Sequence, residues 1–174
     1  GGAVVTQDDE LAHRIRVMRD WGQENKYHHI VTGFNARMDS IQGAVLRVKL
    51  RYLDEWTNAR RFHAKRYHEL LANIPVDRPE MSTEDRHVFH IYSIVTANRD
   101  NVQTALNAAG IGTNIHYPVP VHRQAVYAKL GYEPETLPVT ERLAAGFLSL
   151  PMYPELEDRD LENVAETLRS AVNV

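Results

Sequence analysis

A long helical pattern without Gly or Pro between Ala44 and Leu71 constrains the fold more than any other part of the sequence. Asp39, with Gln42 three residues later, forms a capping-box variant and places the first helical residue at Ser40. About thirty residues at 1.5 Å each would span roughly 45 Å, more than the width of a small domain. The pattern therefore predicts one continuous helix that links two domains. Its apolar residues recur every three or four positions, as in a helix that buries one stripe: Ile41, Val45, Val48, Tyr52, Trp56, Ala59, Phe62, Tyr67 and Leu70.

The composition limits the classes of protein to which the chain can belong. Its 174 residues are 43% hydrophobic and 25% charged, which is ordinary for one globular domain or a domain plus part of another. The net charge of -3 argues against nucleic-acid binding. No apolar run approaches the roughly twenty residues that a bilayer requires. The chain has no cysteine, which excludes disulfides and thiolate metal sites and leads us to expect a cytoplasmic protein.

The segment before the long helix, residues 1–39, is predicted to be the end of a larger domain. Its first residues, Gly1-Gly2-Ala3-Val4-Val5-Thr6, are typical of a buried strand, and we expect the partners of that strand to lie upstream of Gly1. Acidic residues then open a short helix that ends at Trp21-Gly22. Residues 23–32 lack periodicity and are predicted to form an ordered loop.

Beyond the helix, which is predicted to span residues 40–72, a connector punctuated by Pro75 and Pro79 marks the start of a second domain. Alternating apolar residues, β-formers and glycine stops predict a βαβ unit, then further helices around one more strand. Residues 73–174 are therefore expected to form a small α+β domain with helices on one face of a short sheet. The predicted strands are 87–95, 112–116 and 148–150, and the predicted helices are 100–109, 124–130, 140–147 and 159–172.

Three polar residues stand out as candidates for binding, and the residue types alone leave their roles open. Asn35 follows Gly33 and could be a left-handed turn residue or an amide directed at a ligand. Arg37 could be a solvated charge or could bind a carboxylate or pyrophosphate through its guanidinium group. His116 ends a predicted strand and could be a packed, hydrogen-bonded histidine or a ligand contact.

The nine histidines of the chain raise the question of a metal site. No His-Glu-x-x-His motif occurs, and no cysteine is present to complete a ligand set. His87 and His90 are three residues apart on a predicted strand and would face opposite sides. We therefore predict no metal site.

Five sequence blocks, in order, resemble the DegT/DnrJ/StrS family of sugar aminotransferases that use pyridoxal phosphate (PLP). The resemblance extends over essentially the whole chain. The blocks are Gly1-Gly2-Ala3-Val4-Val5-Thr6, Tyr27-His28-His29, Gly33-Phe34-Asn35-Ala36-Arg37-Met38-Asp39-Ser40-Ile41-Gln42, Gly112-Thr113-Asn114-Ile115-His116-Tyr117-Pro118-Val119-Pro120-Val121-His122, and Leu148-Ser149-Leu150-Pro151-Met152-Tyr153-Pro154.

The resemblance implies an α/β fold of type I among PLP-dependent transferases, with this chain as the carboxyl-terminal part. In that family the Schiff-base lysine lies a few residues before the Gly-Gly strand, so here it is expected upstream of Gly1, and no catalytic residue is expected within the chain. The family's matching asparagine, here Asn35, is expected to reach the cofactor phosphate of the other subunit. The resemblance implies that Arg37, His116 and Tyr117 bind the nucleotide-sugar substrate. Tyr27 and His28 are expected to line the same cleft, and His122 is a weaker candidate.

The function implied by the resemblance is transfer of an amino group, usually from glutamate, to a keto group of a nucleotide-linked sugar. The expected partners are a second copy of the chain in a homodimer, the nucleotide sugar and the amino-acid donor. The isolated piece, without the lysine, is expected to be inactive. Two alternatives remain open: a non-catalytic α+β binding module, and a regulator that keeps the cofactor without transferring nitrogen.

Overall fold

The computed structural model describes residues 2–82, 84–133 and 136–172 of the chain. The chain divides into two compact units, Gly1–Tyr52 and Leu53–Val174. The boundary between these units falls inside the helical stretch that the sequence predicts as a link between domains. The finer division into residues 1–39, 40–72 and 73–174 stays a prediction.

The first unit begins with helix α1, Asp9–Arg19, whose N-cap Asp8 accepts a hydrogen bond from the Leu11 N–H at 2.9 Å. Residues 2–6 pair with no strand among the described residues, and because the partners of the strand predicted over Gly1–Thr6 are expected upstream of Gly1, that strand stays a prediction. The loop predicted over residues 23–32 contains a small antiparallel hairpin of β1, Gln23–Asn25, and β2, His28–His29.

Helix α2, Ser40–Lys49, begins where the capping box predicts, and the Asp39 N–H donates to Gln42 Oε1 at 3.1 Å. The prediction of one uninterrupted helix is wrong. Residues Leu50–Tyr52 form a 3-10 turn, and the chain then continues as helix α3, Leu53–Leu70. The Leu50 N–H still donates to the Leu46 carbonyl, four residues back as in an α-helix, and the tighter 3-10 form begins at this residue.

The second unit contains α3 and all later elements. These are strand β3, Tyr92–Val95; helix α4, Arg99–Ala108; 3-10 turns at Val121–Arg123 and Ala125–Leu130; helix α5, Pro138–Gly146; strand β4, Phe147–Leu150; and helix α6, Asp158–Val172. The predicted helices are found within two residues of their expected bounds, with the short one at 125–130 adopting the 3-10 form.

The sheet of the second unit differs from the predicted βαβ unit. β3 is shorter than the predicted strand over 87–95, and it pairs antiparallel with β4, so that Ser93 lies opposite Ser149. Residues 112–116 do not form a strand, and only Asn114 makes a β-bridge, to Ser149. On the other edge, Asp77 makes a bridge to Val95. The result is a short sheet flanked by two single bridges.

The core lies between this sheet and helices α3, α4 and α6. Tyr92 and Ile94 of β3 are fully buried, whereas the alternate residues Ser93 and Val95 are partly exposed. Burial of apolar surface is the main stabilising contribution to such a unit. The other core side chains are Ala64, Tyr67, Leu71, Ile74, Phe89, Val102, Leu106, Ile111, Leu148, Leu150, Leu156, Leu161, Val164, Ala165 and Leu168.

Polar contacts also connect α3 to the segment after β4. Tyr67 Oη donates to the Pro151 carbonyl at 3.0 Å, and His63 Nε2 lies 3.0 Å from the Pro154 carbonyl. Because a carbonyl can only accept, His63 carries a proton on Nε2. Its buried Nδ1 has no hydrogen-bond partner among the described residues. The Tyr67 phenol is itself buried, and burial raises its pKa.

An exposed ion-pair network joins α3 to α6. Arg66 donates to Asp158 Oδ1 at 2.7 Å and to Glu162 Oε1 at 2.9 Å. The hydrogen bond from Arg66 lowers the pKa of Asp158. Among the helices of the described residues, none has the length and hydropathy that a membrane span requires.

Candidate functional site

A close contact between two glycines shapes the segment that carries Asn35. Gly22 has a φ of +73°, and a Cβ placed on it would lie 1.8 Å from the Val31 carbonyl oxygen. A Cβ on Gly33 would lie 2.0 Å from the Gly22 backbone nitrogen. Both positions therefore require glycine, the first also because of its left-handed backbone. The contact brings residues 33–36 alongside the end of α1.

Backbone hydrogen bonds fix Asn35 beside Asp20. The two residues form an antiparallel β-bridge, and the Ala36 N–H donates to the Arg19 carbonyl at 2.9 Å. Asn35 does not have positive φ, so it is not the left-handed turn residue that the sequence left open. Its side chain is exposed and makes no hydrogen bond to the residues that the structure describes. The amide is therefore free to bind a ligand.

Arg37 lies next to the same aspartate. Its guanidinium Nη1 is 3.1 Å from Asp20 Oδ1, and about half of the side chain is exposed. This contact is an ion pair rather than a directed hydrogen bond, because Asp20 Oδ1 has no hydrogen bond of acceptable geometry within the described chain. Asp20 Oδ2 instead accepts from Gln23 Nε2 at 2.8 Å. The exposed donors of Arg37 remain available to an anion.

Tyr27 and His28 lie in the β1–β2 hairpin and are both exposed. Tyr27 has a φ of +70°, and the ammonium group of Lys26 lies 5.0 Å from the centre of its ring. His28 pairs with Asn25 through the backbone. The structure keeps these residues in the first unit with Asn35 and Arg37, and their assignment to the substrate stays a prediction.

In the second unit, His116 is held by a buried serine. His116 Nδ1 lies 2.9 Å from Ser149 Oγ, and Ser149 Oγ lies 2.9 Å from Ser93 Oγ. Ser149 is 5% exposed, and His116 is partly buried. His116 lines two clefts of about 470 and 520 Å³ on the surface of this unit. The ring is therefore both anchored and accessible.

Tyr117 and His122, which follow His116 in the sequence, differ from each other in exposure and in contacts. The peptide bond between His116 and Tyr117 is cis, and their rings meet edge to face at 5.5 Å. The Tyr117 side chain is largely exposed. His122 is instead nearly buried, with Nε2 2.9 Å from Glu141 Oε1, which is typical of a structural histidine. The assignment of His116 and Tyr117 to the substrate stays a prediction.

Reasoning from the sequence did not assign a role to Asp20, Ser93 or Ser149. Ser149 lies in a block that carries the family resemblance, but its contact with His116 joins residues 33 positions apart. No local pattern indicates such a contact. The described residues contain no group of three or more His, Cys, Asp or Glu side chains that could hold a metal ion.

Comparison with known proteins identifies the family. The model of the DegT/DnrJ/EryC1/StrS aminotransferase family matches residues 1–169. The chain belongs to this family. The resemblance derived from the five sequence blocks is thereby confirmed, and the DegT/DnrJ/EryC1/StrS match extends through both units.

Two similar curated relatives differ in what their names say. The chain is 44% identical over 171 residues to a pleiotropic regulatory protein of Geobacillus stearothermophilus, covering 97% of this chain and 46% of that protein. It is 39% identical over 174 residues to a UDP-N-acetyl-3-dehydro-alpha-D-glucosamine 3-aminotransferase of Acidithiobacillus ferrooxidans, covering 99% and 46%. The chain thus spans about half the length of the curated relatives it matches.

The fold is also similar to solved members of the family. The crystal structure of S. venezuelae DesV in complex with a ketimine intermediate superimposes with a TM-score of 0.92 at 38% identity, covering 98% of this chain and 46% of that one. This similarity confirms the predicted α/β class and the fold-type I assignment.

Proposed function

We propose that this chain is the carboxyl-terminal part of a PLP-dependent enzyme that transfers an amino group, usually from glutamate, to a keto group of a nucleotide-linked sugar. The single observation that carries the proposal is the family match over residues 1–169. The similarity to a relative named as a UDP-sugar aminotransferase supports the substrate class. The Schiff-base lysine would then lie in the part of the longer protein that precedes this chain.

The residues of the first unit fit a phosphate-bearing cofactor. The exposed amide of Asn35 offers N–H donors without adding charge, and its backbone is held by the bridge to Asp20. PLP, when bound, supplies the electron sink for the transfer. Asn35 would bind the phosphate of that cofactor in the partner subunit. Asn35 would retain the cofactor and would take no part in the chemical steps of the reaction.

Arg37, His116 and Tyr117 would bind the nucleotide sugar, with Tyr27 and His28 as further contacts. The guanidinium group of Arg37 suits a pyrophosphate or carboxylate. The Asp20 carboxylate would orient this guanidinium group through the ion pair at 3.1 Å. His116 would donate a hydrogen bond to the substrate rather than transfer a proton. The chemistry of transfer would depend on the upstream lysine.

The full-length protein would be a cytoplasmic homodimer in which each subunit contributes to the site of the other. Exposed apolar side chains on α2 support an association surface, since no residue of this helix is buried within the chain. Ile41 is 80% exposed, and Val45 and Val48 are about half exposed. A surface of this kind is typical of protein interfaces.

A second candidate is regulation without amino transfer. The similarity to a protein named as a pleiotropic regulator favours this alternative. The two candidates differ in one measurement. A full-length protein that binds PLP but transfers no nitrogen from glutamate to nucleotide-linked keto sugars would contradict the enzymatic proposal and support regulation.

The test of shared sites mixes two impaired chains of the full-length protein, at a cofactor concentration that saturates an intact site but not an Asn35→Ala site. One carries Asn35→Ala, which removes a hydrogen bond to a charged phosphate and should weaken cofactor affinity about ten- to a hundredfold. The other lacks the upstream lysine. A heterodimer would have one site with both defects and one with neither, so activity should partly return.

Asn101→Ala is the matched control, because Asn101 is an exposed asparagine on α4 that no site prediction includes. Cofactor retention should be unchanged in this variant.

Arg37→Met and His116→Ala should keep the cofactor and raise KM for the nucleotide sugar. If heterodimers form but no activity returns on mixing, the cross-subunit assignment is wrong.

A further inference from the structure

Ser149 occupies the central position of the short sheet. Its N–H donates to the Asn114 carbonyl at 2.8 Å, its carbonyl accepts from the Asn114 N–H at 3.2 Å, and it lies opposite Ser93 in the β3–β4 pair. Residues directly opposite each other place their side chains on the same face. The hydroxyl of Ser149 is therefore fixed between Ser93 Oγ and His116 Nδ1, 2.9 Å from each.

Ser93, Ser149 and His116 form a hydrogen-bonded network, and the protons available to it restrict which nitrogen of the neutral His116 ring is protonated. Ser149 has one hydroxyl proton and contacts two neighbours, so it donates to one and accepts from the other. If Ser93 donates to Ser149 and Ser149 donates to His116 Nδ1, both hydroxyl protons have acceptors within the network of these three residues. In the opposite direction the Ser93 proton has no acceptor among the described residues and goes to solvent from the partly exposed Ser93, so only the first direction satisfies both hydroxyl protons within the protein.

We infer that Ser149, supported by Ser93, is a positioning residue that keeps a proton on His116 Nε2 and so presents His116 as a hydrogen-bond donor. In the neutral ring, Nδ1 accepts from Ser149 and Nε2 must carry the proton. In the imidazolium both nitrogens carry protons, and Ser149 can turn its own proton towards Ser93. Nε2–H is thus a donor in both states, and the ring cannot act as a base through that atom.

The surroundings of His116 agree with a donor directed at an oxygen-rich ligand. The titratable or charged side chains that line its two clefts are His90 in one, and Asp77, Arg78, His87 and Arg142 in the other. Arg142 is 3.5 Å from Asp77, which partly neutralises that carboxylate. The ligand class is a hydroxyl, keto or pyrophosphate oxygen of the nucleotide sugar. This assignment of a ligand rests on the proposed function, whereas the state of the ring does not.

The state of the ring is tested by ¹⁵N NMR of histidine-labelled full-length protein without substrate, with His116→Gln used to identify the signals of His116. At a pH where the ring is neutral, Nε2 should carry the proton and Nδ1 should show the shift of a hydrogen-bonded acceptor. Ser149→Ala should remove that bond and change the Nδ1 shift. Ser93→Ala is the matched control, because Ser149 can still donate to Nδ1, and it should retain the Nε2–H state.

Kinetics then separate this inference from the proposed function. Ser149→Ala should raise KM for the nucleotide sugar about tenfold, the effect of one neutral hydrogen bond, with little change in kcat or cofactor retention. If KM does not change in either His116→Gln or Ser149→Ala, the substrate contact is wrong while the NMR result stands. A neutral ring protonated on Nδ1, or a Ser149→Ala spectrum identical to wild type, would overturn the inference. Should Ser149→Ala not fold, Ser149→Cys keeps the size of the side chain with a weaker donor and provides the same comparison.

Discussion

The two units of the chain maintain their structure by different means. In Gly1–Tyr52, Val17 is the one apolar side chain that is buried among the described residues, whereas Leu53–Val174 contains a contiguous apolar core. The first unit is instead ordered by backbone hydrogen bonds and by the contact of Gly22 with Gly33. The second unit is stabilised by the burial of apolar surface, whereas the order of the first unit depends on a few residues and their backbone contacts.

This difference matches the tasks proposed for each unit. Asn35 and Arg37 belong to a segment whose backbone is fixed while its side chains remain exposed. His116 belongs to a unit in which even the polar group that holds it, Ser149, is buried. Residues that bind a ligand from an exposed segment depend on the surrounding assembly, and this dependence agrees with the proposed dimer.

The largest effect that distinguishes the units should come from truncating a core side chain. Leu106→Ala removes a fully buried side chain and should lower the free energy of unfolding of the second unit by about 2–5 kcal/mol. Val45→Ala, at a residue that is 52% exposed, should change stability by less than about 0.5 kcal/mol. Hydrogen exchange on the 174-residue chain measures each unit separately. Comparable losses in the two variants would show that the first unit has a core of its own.

The next effect concerns the glycine contact of the first unit. Gly22→Ala should disorder residues around 22–36, because the left-handed backbone alone costs roughly 1–2 kcal/mol for a residue with a Cβ and the Cβ would also meet the Val31 carbonyl. Hydrogen exchange should then increase in this segment and not in the second unit.

Gly43→Ala is the control for that variant. Gly43 lies inside α2 with open space around the position of a Cβ, so alanine should stabilise this helix by up to about 1 kcal/mol. A Gly22→Ala chain with unchanged protection of the Trp21 and Ala36 N–H groups, which donate to the Phe34 and Arg19 carbonyls, would contradict the role of the contact.

A smaller effect should appear at alkaline pH in the second unit. Burial raises the pKa of Tyr92 to about 12, although the positive charge of Arg78 lowers it, and the phenol has no hydrogen-bond partner among the described residues. Because the folded pKa lies above the unfolded value of about 10, the neutral phenol stabilises the fold fully below pH 10, and this contribution is lost as the pH rises through 12.

The measurement is unfolding by urea between pH 9 and 12. Tyr92→Phe should reduce the alkaline loss of stability, with the buried phenol of Tyr67 accounting for part of what remains, while changing little at neutral pH. Tyr27→Phe, at an exposed tyrosine of the first unit, should leave the profile unchanged. An alkaline loss that persists undiminished in Tyr92→Phe would argue against the burial of that phenol as its cause.

The smallest effect is expected at acid pH, at the exposed network of Arg66. The pKa of Asp158 is lowered by its hydrogen bond from Arg66, so the stabilisation is present above the unfolded pKa and is lost as the pH falls through the folded one. Arg66→Met should reduce this dependence slightly, since exposed ion pairs contribute little. Acid titration of unfolding free energy is the measurement. Equal slopes in the two proteins below pH 4 would contradict the assignment.

The sequence predicted local structure well where the cause is local. The capping box of Asp39 and Gln42 indicated the start of α2, and Trp21-Gly22 indicated the end of α1. The continuous helix failed at Leu50–Tyr52, because apolar spacing does not distinguish an α-helical turn from a 3-10 turn. The strand predicted over residues 112–116 reduced to one bridge at Asn114.

The candidate site shows the same limit. The family resemblance brought Asn35, Arg37 and His116 into consideration by residue type and order. The partners that fix two of them, Asp20 and Ser149, act through strand register and chain reversal, and these depend on the whole fold. Periodicity in a single sequence does not encode the distance between residues 33 positions apart.

The hydrogen bonds from α3 to Pro151 and Pro154 have a consequence for solubility. A strand that continued beyond β4 would present unpaired N–H and C=O groups to other molecules and could recruit them by edge-to-edge pairing. The two prolines have no N–H, and their carbonyls already contact Tyr67 and His63. Another strand therefore cannot form backbone hydrogen bonds with Pro151 or Pro154, and this protects the segment after β4 against aggregation.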